Sequence, residues 1–161
     1  MVDRHYLKRF PGVCVLILGL RRASVLVGTI IFALPPRETQ KRMGGGITWE
    51  LARLFIEDSV PQNAETFLIA RGLRWIRRHH PAVQWVVSYS DPSAGHDGTI
   101  YRAANFKFDG MTDAGRKTPR FDYGDARTGK RYSRRGHVPE DAIIERIPRV
   151  SKARFVYRLY E

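Results

Sequence analysis

The chain has 161 residues, 43% hydrophobic, with 28 Lys and Arg against 16 Asp and Glu, for a net charge of +12. That length fits one domain with a real core, and a single cysteine, Cys14, excludes a disulfide framework and a thiolate metal cluster. The positive excess makes nucleic acid the leading partner on charge alone, although an anionic membrane surface or ribosomal association has the same sign. No apolar run is long enough to span a bilayer, and Val13 to Leu20 lacks the pattern of a signal peptide. A soluble, cytosolic protein is expected.

Residues 3–12 read as an irregular or helical lead-in ending at Pro11-Gly12. Val13 to Leu20 and Val25 to Ala33 are apolar, β-branched runs joined by Arg21-Arg22-Ala23-Ser24. They predict an antiparallel hairpin buried on both faces. After Pro35-Pro36, residues 37–46 read as a polar loop ending in three glycines, whose N–H groups either cradle a phosphate or simply give flexibility. Ile47 to Ile56 alternates as a strand carrying Glu50 and Arg53. That pair is either a cross-strand salt bridge or a donor-holding Arg53 that grips a carboxylate or phosphate bidentately.

Asn63 is placed to cap a helix in which Phe67, Leu68, Gly72, Trp75 and Ile76 fall at helical spacing, ending in Arg77-Arg78-His79-His80 before Pro81. His79 and His80 are adjacent on a helix, so they do not face a common ligand. Trp85 to Asp91 reads as a buried strand stopped by Pro92, followed by a loop with Gly95 and Gly98 and a short helix from Thr99 to Phe106. Strand end, loop and helix start gather Ser88, Tyr89, Ser90, Asp91, His96, Tyr101 and Asn105, and sites in α/β sheets lie beyond strand carboxyl ends. Asp91 and His96 there can share a proton or bind a metal.

Phe106 to Gly110 predicts another strand. Residues 113–137 form a basic, loop-rich insertion that supplies no core, where Phe121, Tyr123 and Tyr132 among Arg and Lys suggest DNA or RNA contact. Glu140 to Ile147 reads as a short amphipathic helix and Ala153 to Tyr160 as a closing strand. The expectation is a single α/β (α+β) domain over residues 1–161, with a mixed, mostly antiparallel central sheet flanked by helices.

This order of elements resembles the GNAT-superfamily acetyltransferase fold. There the pyrophosphate of acetyl-CoA sits at the helix N-terminus after the fourth strand, which places Asn63, Glu65 and Thr66 as cofactor-binding positions. Here Gln62 to Phe67 has no glycine and adds Glu65, which disfavours acetyl-CoA. More specifically, His5-Tyr6-Leu7, Val27-Gly28-Thr29, Glu50-Leu51-Ala52-Arg53-Leu54, Pro61 to Thr66, and above all the spaced run Ser88-Tyr89-Ser90-Asp91-Pro92, Gly95-His96, Gly98 to Ala103 and Asn105-Phe106 resemble the Mom family of phage DNA-modification proteins.

The resemblance implies a phage- or prophage-encoded enzyme acting in the bacterial cytoplasm. It would convert adenine N6 in double-stranded DNA to a methylcarbamoyl derivative and so shield phage DNA from restriction. Implied catalytic residues are Tyr6, Arg53, Asp91 and His96, with a flipped base among Ser88, Tyr89, Tyr101, Asn105 and Phe106. A small-molecule group donor is required, and a non-haem iron-type metal held by His5, Tyr6 and Asp91 is implied. The alternatives are an acetyl-CoA-dependent N-acetyltransferase and a non-catalytic basic DNA-binding protein. Sequence alone leaves the donor and the oligomeric state open.

Overall fold

The computed structural model describes residues 11–132 and 137–160. Nine strands are described. β1 (Cys14–Arg22) and β2 (Val25–Ala33) form the expected antiparallel hairpin, and β2 pairs antiparallel with β3 (Ile47–Ile56). Helix α2 (Ala64–His79) then crosses to β4 (Val83–Ser90), which lies parallel to β3. After helix α3 (Thr99–Ala103) come β5 (Lys107–Met111), β6 (Phe121–Asp125), β7 (Arg131–Tyr132), β8 (Ile144–Pro148) and β9 (Ala153–Arg158). The main sheet has the order β1-β2-β3-β4-β9-β5, so the last strand inserts beside β4. It is mixed and mostly antiparallel, as expected.

Helix α2 supplies Leu68, Ile69, Leu73 and Ile76 to a core that meets Ile30, Phe32, Val86 and Phe155 from the sheet. Its closeness to the sheet depends on Gly72, where a Cβ would stand 2.9 Å from the ring of Phe32. At the far end of the helix, the His79 ring packs 4.6 Å from Trp75 and the His80 ring 4.8 Å from Trp49. Ring packing thus accounts for a histidine pair that adjacency had already set against metal binding. No helix among the described residues is long and apolar enough to cross a membrane.

Four expectations are corrected. Residues 37–42 form a helix, α1 (Arg37–Arg42), not a loop: Pro36 leads in, Glu38 lies in its first turn, and Lys41 and Arg42 in its last suit the helix dipole. β1 is an edge strand, largely exposed, so only β2 is buried deeply. Residues 144–148 are a strand, because Ile144 and Ile147 extend alongside β6 instead of closing a helical face. Last, the insertion is not all loop: β6 and β7 join β8 in a second sheet of order β7-β6-β8, in which Tyr132 and Asp125 are buried. Phe121 packs edge-on to Tyr123, and the Arg146 guanidinium lies over the Phe121 ring.

Candidate active site between two parting strands

The parallel pairing of β3 with β4 stops at Glu50 opposite Val87. Beyond that point β3 stays with β2, whereas Ser88, Tyr89 and Ser90 of β4 pair only with Phe155, Arg154 and Ala153 of β9. Two hydrogen-bonded ribbons therefore part, and the gap between them is a cleft of about 490 Å³. A bulge sharpens the parting: Leu51 faces Phe32 and Arg53 faces Ile31, which leaves Ala52 unpaired in the register. At the fork, the fully buried Ser88 Oγ donates to the Leu51 carbonyl at 2.9 Å. That bond replaces the ladder where the strands separate.

One wall of the cleft runs from Glu50 to Ile56; the other has Tyr89, Ser90, the Gly95 to Tyr101 loop and Lys152. Burial pushes the Glu50 carboxyl above its ordinary value, and the nearby Arg53 and Lys152 cations only partly offset this. Arg53 donates from its guanidinium to the Ala52 carbonyl at 2.5 Å, which anchors it along the bulge. Tyr89 shares a 2.9 Å hydrogen bond with Thr39 of α1. Burial, chiefly, also raises the Tyr89 phenol, and Glu50 adds to that effect. A half-buried carboxyl shifted toward neutrality beside an arginine, in an open cleft, suits proton transfer next to a bound anion.

The loop that follows β4 is built from short-range bonds. Asp91 caps a single 3₁₀ turn, Pro92–Ala94, accepting from the Ser93 N–H at 3.1 Å and from Ser93 Oγ at 2.5 Å. Its other carboxylate oxygen lies 3.1 Å from Lys152 Nζ. Partial burial works to raise this carboxyl, but the hydrogen bonds from Ser93 and Lys152 and the lysine charge together hold it below its ordinary value. Asp97 then accepts from Thr99 N–H at 2.9 Å, and Gly98, in the left-handed region with φ 82°, turns the chain into α3. The helix closes with Asn105 at φ 64°: Asn105 N–H donates to the Arg102 carbonyl and Phe106 N–H to that of Tyr101. Phe106 then meets the Tyr101 ring at 5.8 Å, which completes a Schellman cap.

The predicted site residues separate into groups. Arg53, His96, Tyr89, Tyr101 and Glu65 line the cleft together. Asp91 stands behind it and reaches it through Lys152. His96 joins Asp91 through the backbone, its N–H donating to the Asp91 carbonyl at 3.2 Å. Ser88 is spent at the fork, Phe106 is core, and Asn105 is an exposed helix stop, so none of these three faces the cleft. Tyr89, next to Ser88 on β4, does line it. Tyr6 and His5 lie outside the described residues. Two contributors carried no sequence signal: Lys152 and Thr39 reach the site from distant chain segments.

Ser88→Ala leaves the Leu51 carbonyl without its partner and costs about 1–2 kcal/mol of stability in a urea melt, with little effect on whatever the cleft catalyses.

Asn63 does not cap α2 with its side chain. It occupies the N-cap position in the left-handed region, φ 72°, with no side-chain bond to the helix. It borders a polar hollow of about 410 Å³ beside Gln62, Glu57, Asp58 and Glu65, while Thr66 is half-buried on the helix and lines neither space. Three carboxylates around that hollow oppose a pyrophosphate, so the residues present do not fit coenzyme A there. Of the metal ligands implied above, Asp91 alone is described, and its carboxylate is held by Ser93 and Lys152. Among the described residues no cluster of three His, Cys, Asp or Glu forms a metal site.

The model of the Mom protein family matches residues 1–158. The chain belongs to the Mom family. A curated relative, the methylcarbamoylase Mom of Escherichia phage Mu, is 35% identical over 120 residues, covering 69% of this chain and 48% of that protein. The chain thus spans about half the length of that relative. Among solved structures, yncA of Salmonella typhimurium with acetyl-CoA superimposes with a TM-score of 0.54 at 12% identity, over 90% of this chain and 65% of that one. A Bacillus subtilis acetyltransferase in complex with CoA gives a TM-score of 0.53 at 11% identity, over 89% and 76%. At those identities the likeness concerns the fold, which is that of the GNAT acetyltransferases.

Proposed function

We propose that this protein is a transferase that joins a methylcarbamoyl group to N6 of adenine in double-stranded DNA, and that the product shields phage DNA from host restriction. The observation that carries this reading is family membership across residues 1–158. The relative from phage Mu bears the name methylcarbamoylase. The charge of +12 suits a polyanionic substrate whose binding weakens steeply with salt.

The adenine must leave the stack to reach a cleft of this depth. Tyr89 and Tyr101 are the rings that meet it there. N6 is a poor nucleophile because its lone pair is delocalised into the ring, so placement and proton removal carry the reaction. As N6 bonds to the carbon of the donated group, the donor's leaving group departs and N6 gives up a proton. Glu50 takes that proton: burial raises its carboxyl toward the pH at which a general base works best. Arg53 holds the anionic part of the small-molecule donor, and Lys152, between Asp91 and the cleft, keeps that wall positive. His96 lines the mouth of the cleft, within reach of DNA. Tyr6 and His5, outside the described residues, would join from the N-terminal segment, with Asp91, if a metal takes part.

Mass spectrometry of nucleosides from a plasmid propagated with this gene tests the reading. The expected result is deoxyadenosine heavier by one methylcarbamoyl group and loss of that species with Arg53→Ala. An N-acetylated small amine with unmodified DNA would instead support the acetyltransferase alternative suggested by the fold. Salt-sensitive DNA binding without any new nucleoside would leave a non-catalytic DNA-binding protein.

A further inference from the structure

Ser90 ends β4 beside Tyr89 and is 2% exposed, yet among the described residues its hydroxyl has no hydrogen-bond partner. Ser88, two residues earlier and on the same face of the strand, uses its hydroxyl on the Leu51 carbonyl. The contrast matters because a buried hydroxyl without a partner destabilises the fold, and buried polar groups are satisfied in the great majority of cases. Ser90 also lines the cleft, in company with Leu51, Ile100 and Tyr101. One χ1 torsion sets the direction of its hydroxyl, so presenting it to a ligand requires no movement of the strand. A hydroxyl both donates and accepts.

We propose that Ser90 is a specificity-determining residue whose hydroxyl binds the primary carboxamide of the group being transferred. This rests on the reading that the group is methylcarbamoyl. A carboxamide offers a carbonyl oxygen to accept from Ser90 and an NH₂ to donate, while the methylene beside it suits the apolar neighbours Leu51 and Ile100. The fold carries an unsatisfied hydroxyl in the free protein because the ligand supplies its partner. A site that hydrogen-bonds a substrate group rejects analogues lacking it far more strongly than an apolar wall can.

Acetamide is the probe. In a ¹H–¹⁵N NMR titration of the full chain it is expected to shift the amides of Ser90 and Tyr101 saturably, and Ser90→Ala is expected to weaken that binding about ten-fold, the effect of one lost hydrogen bond. Ser90→Ala is also expected to melt no lower than wild type, since no native bond is lost, while modified adenine in co-expressed plasmid falls at least about ten-fold. Acetamide that fails to bind, binds Ser90→Ala equally well, or shifts residues elsewhere overturns the proposal, as does a variant that melts lower or modifies DNA at the wild-type level. The two readings fail separately. Wild-type protein that leaves DNA unmodified but binds acetamide through Ser90 keeps the carboxamide site and removes the DNA-modification reading. Modified DNA that is indifferent to Ser90→Ala does the reverse.

Discussion

Glu50→Gln is expected to leave a protein that melts higher than wild type at pH 7 and modifies adenine at least about 100-fold less, the usual loss on removing a general base. Both effects come from one carboxyl. Desolvation is the largest influence on Glu50 and raises its pKa, against the opposing pull of Arg53 and Lys152. A carboxyl raised on folding is bound more tightly to its proton in the native state. The stability this confers is complete below the unfolded value of 4.5, is lost as pH rises from there through the raised native value, and stays lost above it. Glutamine imitates the protonated carboxyl at every pH. The melting difference between variant and wild type should therefore vanish in acid and open as pH rises from 4.5. A variant that melts lower at neutral pH would show that the Arg53 and Lys152 attractions outweigh burial. One that still modifies DNA would remove Glu50 from the chemistry.

The second large effect concerns backbone. Gly98→Ala is expected to lose about 3 kcal/mol, combining about 1–2 for a side chain in the left-handed region with about 1–3 for overpacking. Gly98 has φ 82°, and a Cβ there would stand 2.3 Å from the ring of Phe155, which is fully buried. For a chain of this size the melting temperature should fall about 6–12 °C. Because the Tyr101 ring lies 5.4 Å from Phe155 and the Arg102 guanidinium 5.2 Å from it, relief of that clash moves the whole wall from Gly95 to Tyr101. Misplacement of about 1 Å can remove a hundred-fold of rate, so activity should fall beyond what the loss of folded protein explains. Gly95→Ala is the natural comparison: its φ is 75° but nothing lies within 4 Å of the added atom. It should lose only the left-handed cost of about 1–2 kcal/mol. Equal melting of the two variants would contradict the packing argument.

Much of this architecture was legible wherever a long period or a hard stop marked the chain. Residues 64–79 show a helical stripe, Pro92 ends β4 and residues 153–158 alternate, and each element stands where those signals put it. The misses are short or non-local. Helix α1 has six residues, too few for a period, and Thr39 ties it to Tyr89, 50 positions away. β8 shares its composition with a helix and becomes a strand because β6 is there to pair with it.

The site was legible as a region but not residue by residue. Crowding after β4 pointed to the region where the cleft lies, yet Ser88 and Ser90 share a face and differ in that the Leu51 carbonyl stands within reach of the first. Likewise Asp91 and His96 are neighbours as the sequence suggested, but Lys152, arriving on the segment before β9, claims the carboxylate. The Mom resemblance, read from spaced motifs, is borne out by the family match, and the longest of those motifs runs from the end of β4 through the loop after it into α3.

The central claim is that chemistry takes place in the gap between β3 and β4, and a plug tests it most directly. Ala52, the bulge residue left out of the β2–β3 register, lines that gap and is half-buried, so Ala52→Trp fills it without disturbing a ladder bond. The account predicts that this variant melts within a few degrees of wild type and retains salt-sensitive DNA binding, while mass spectrometry of plasmid nucleosides finds no modified adenine. Modified adenine at the wild-type level from the plugged protein would place the reaction elsewhere on the molecule.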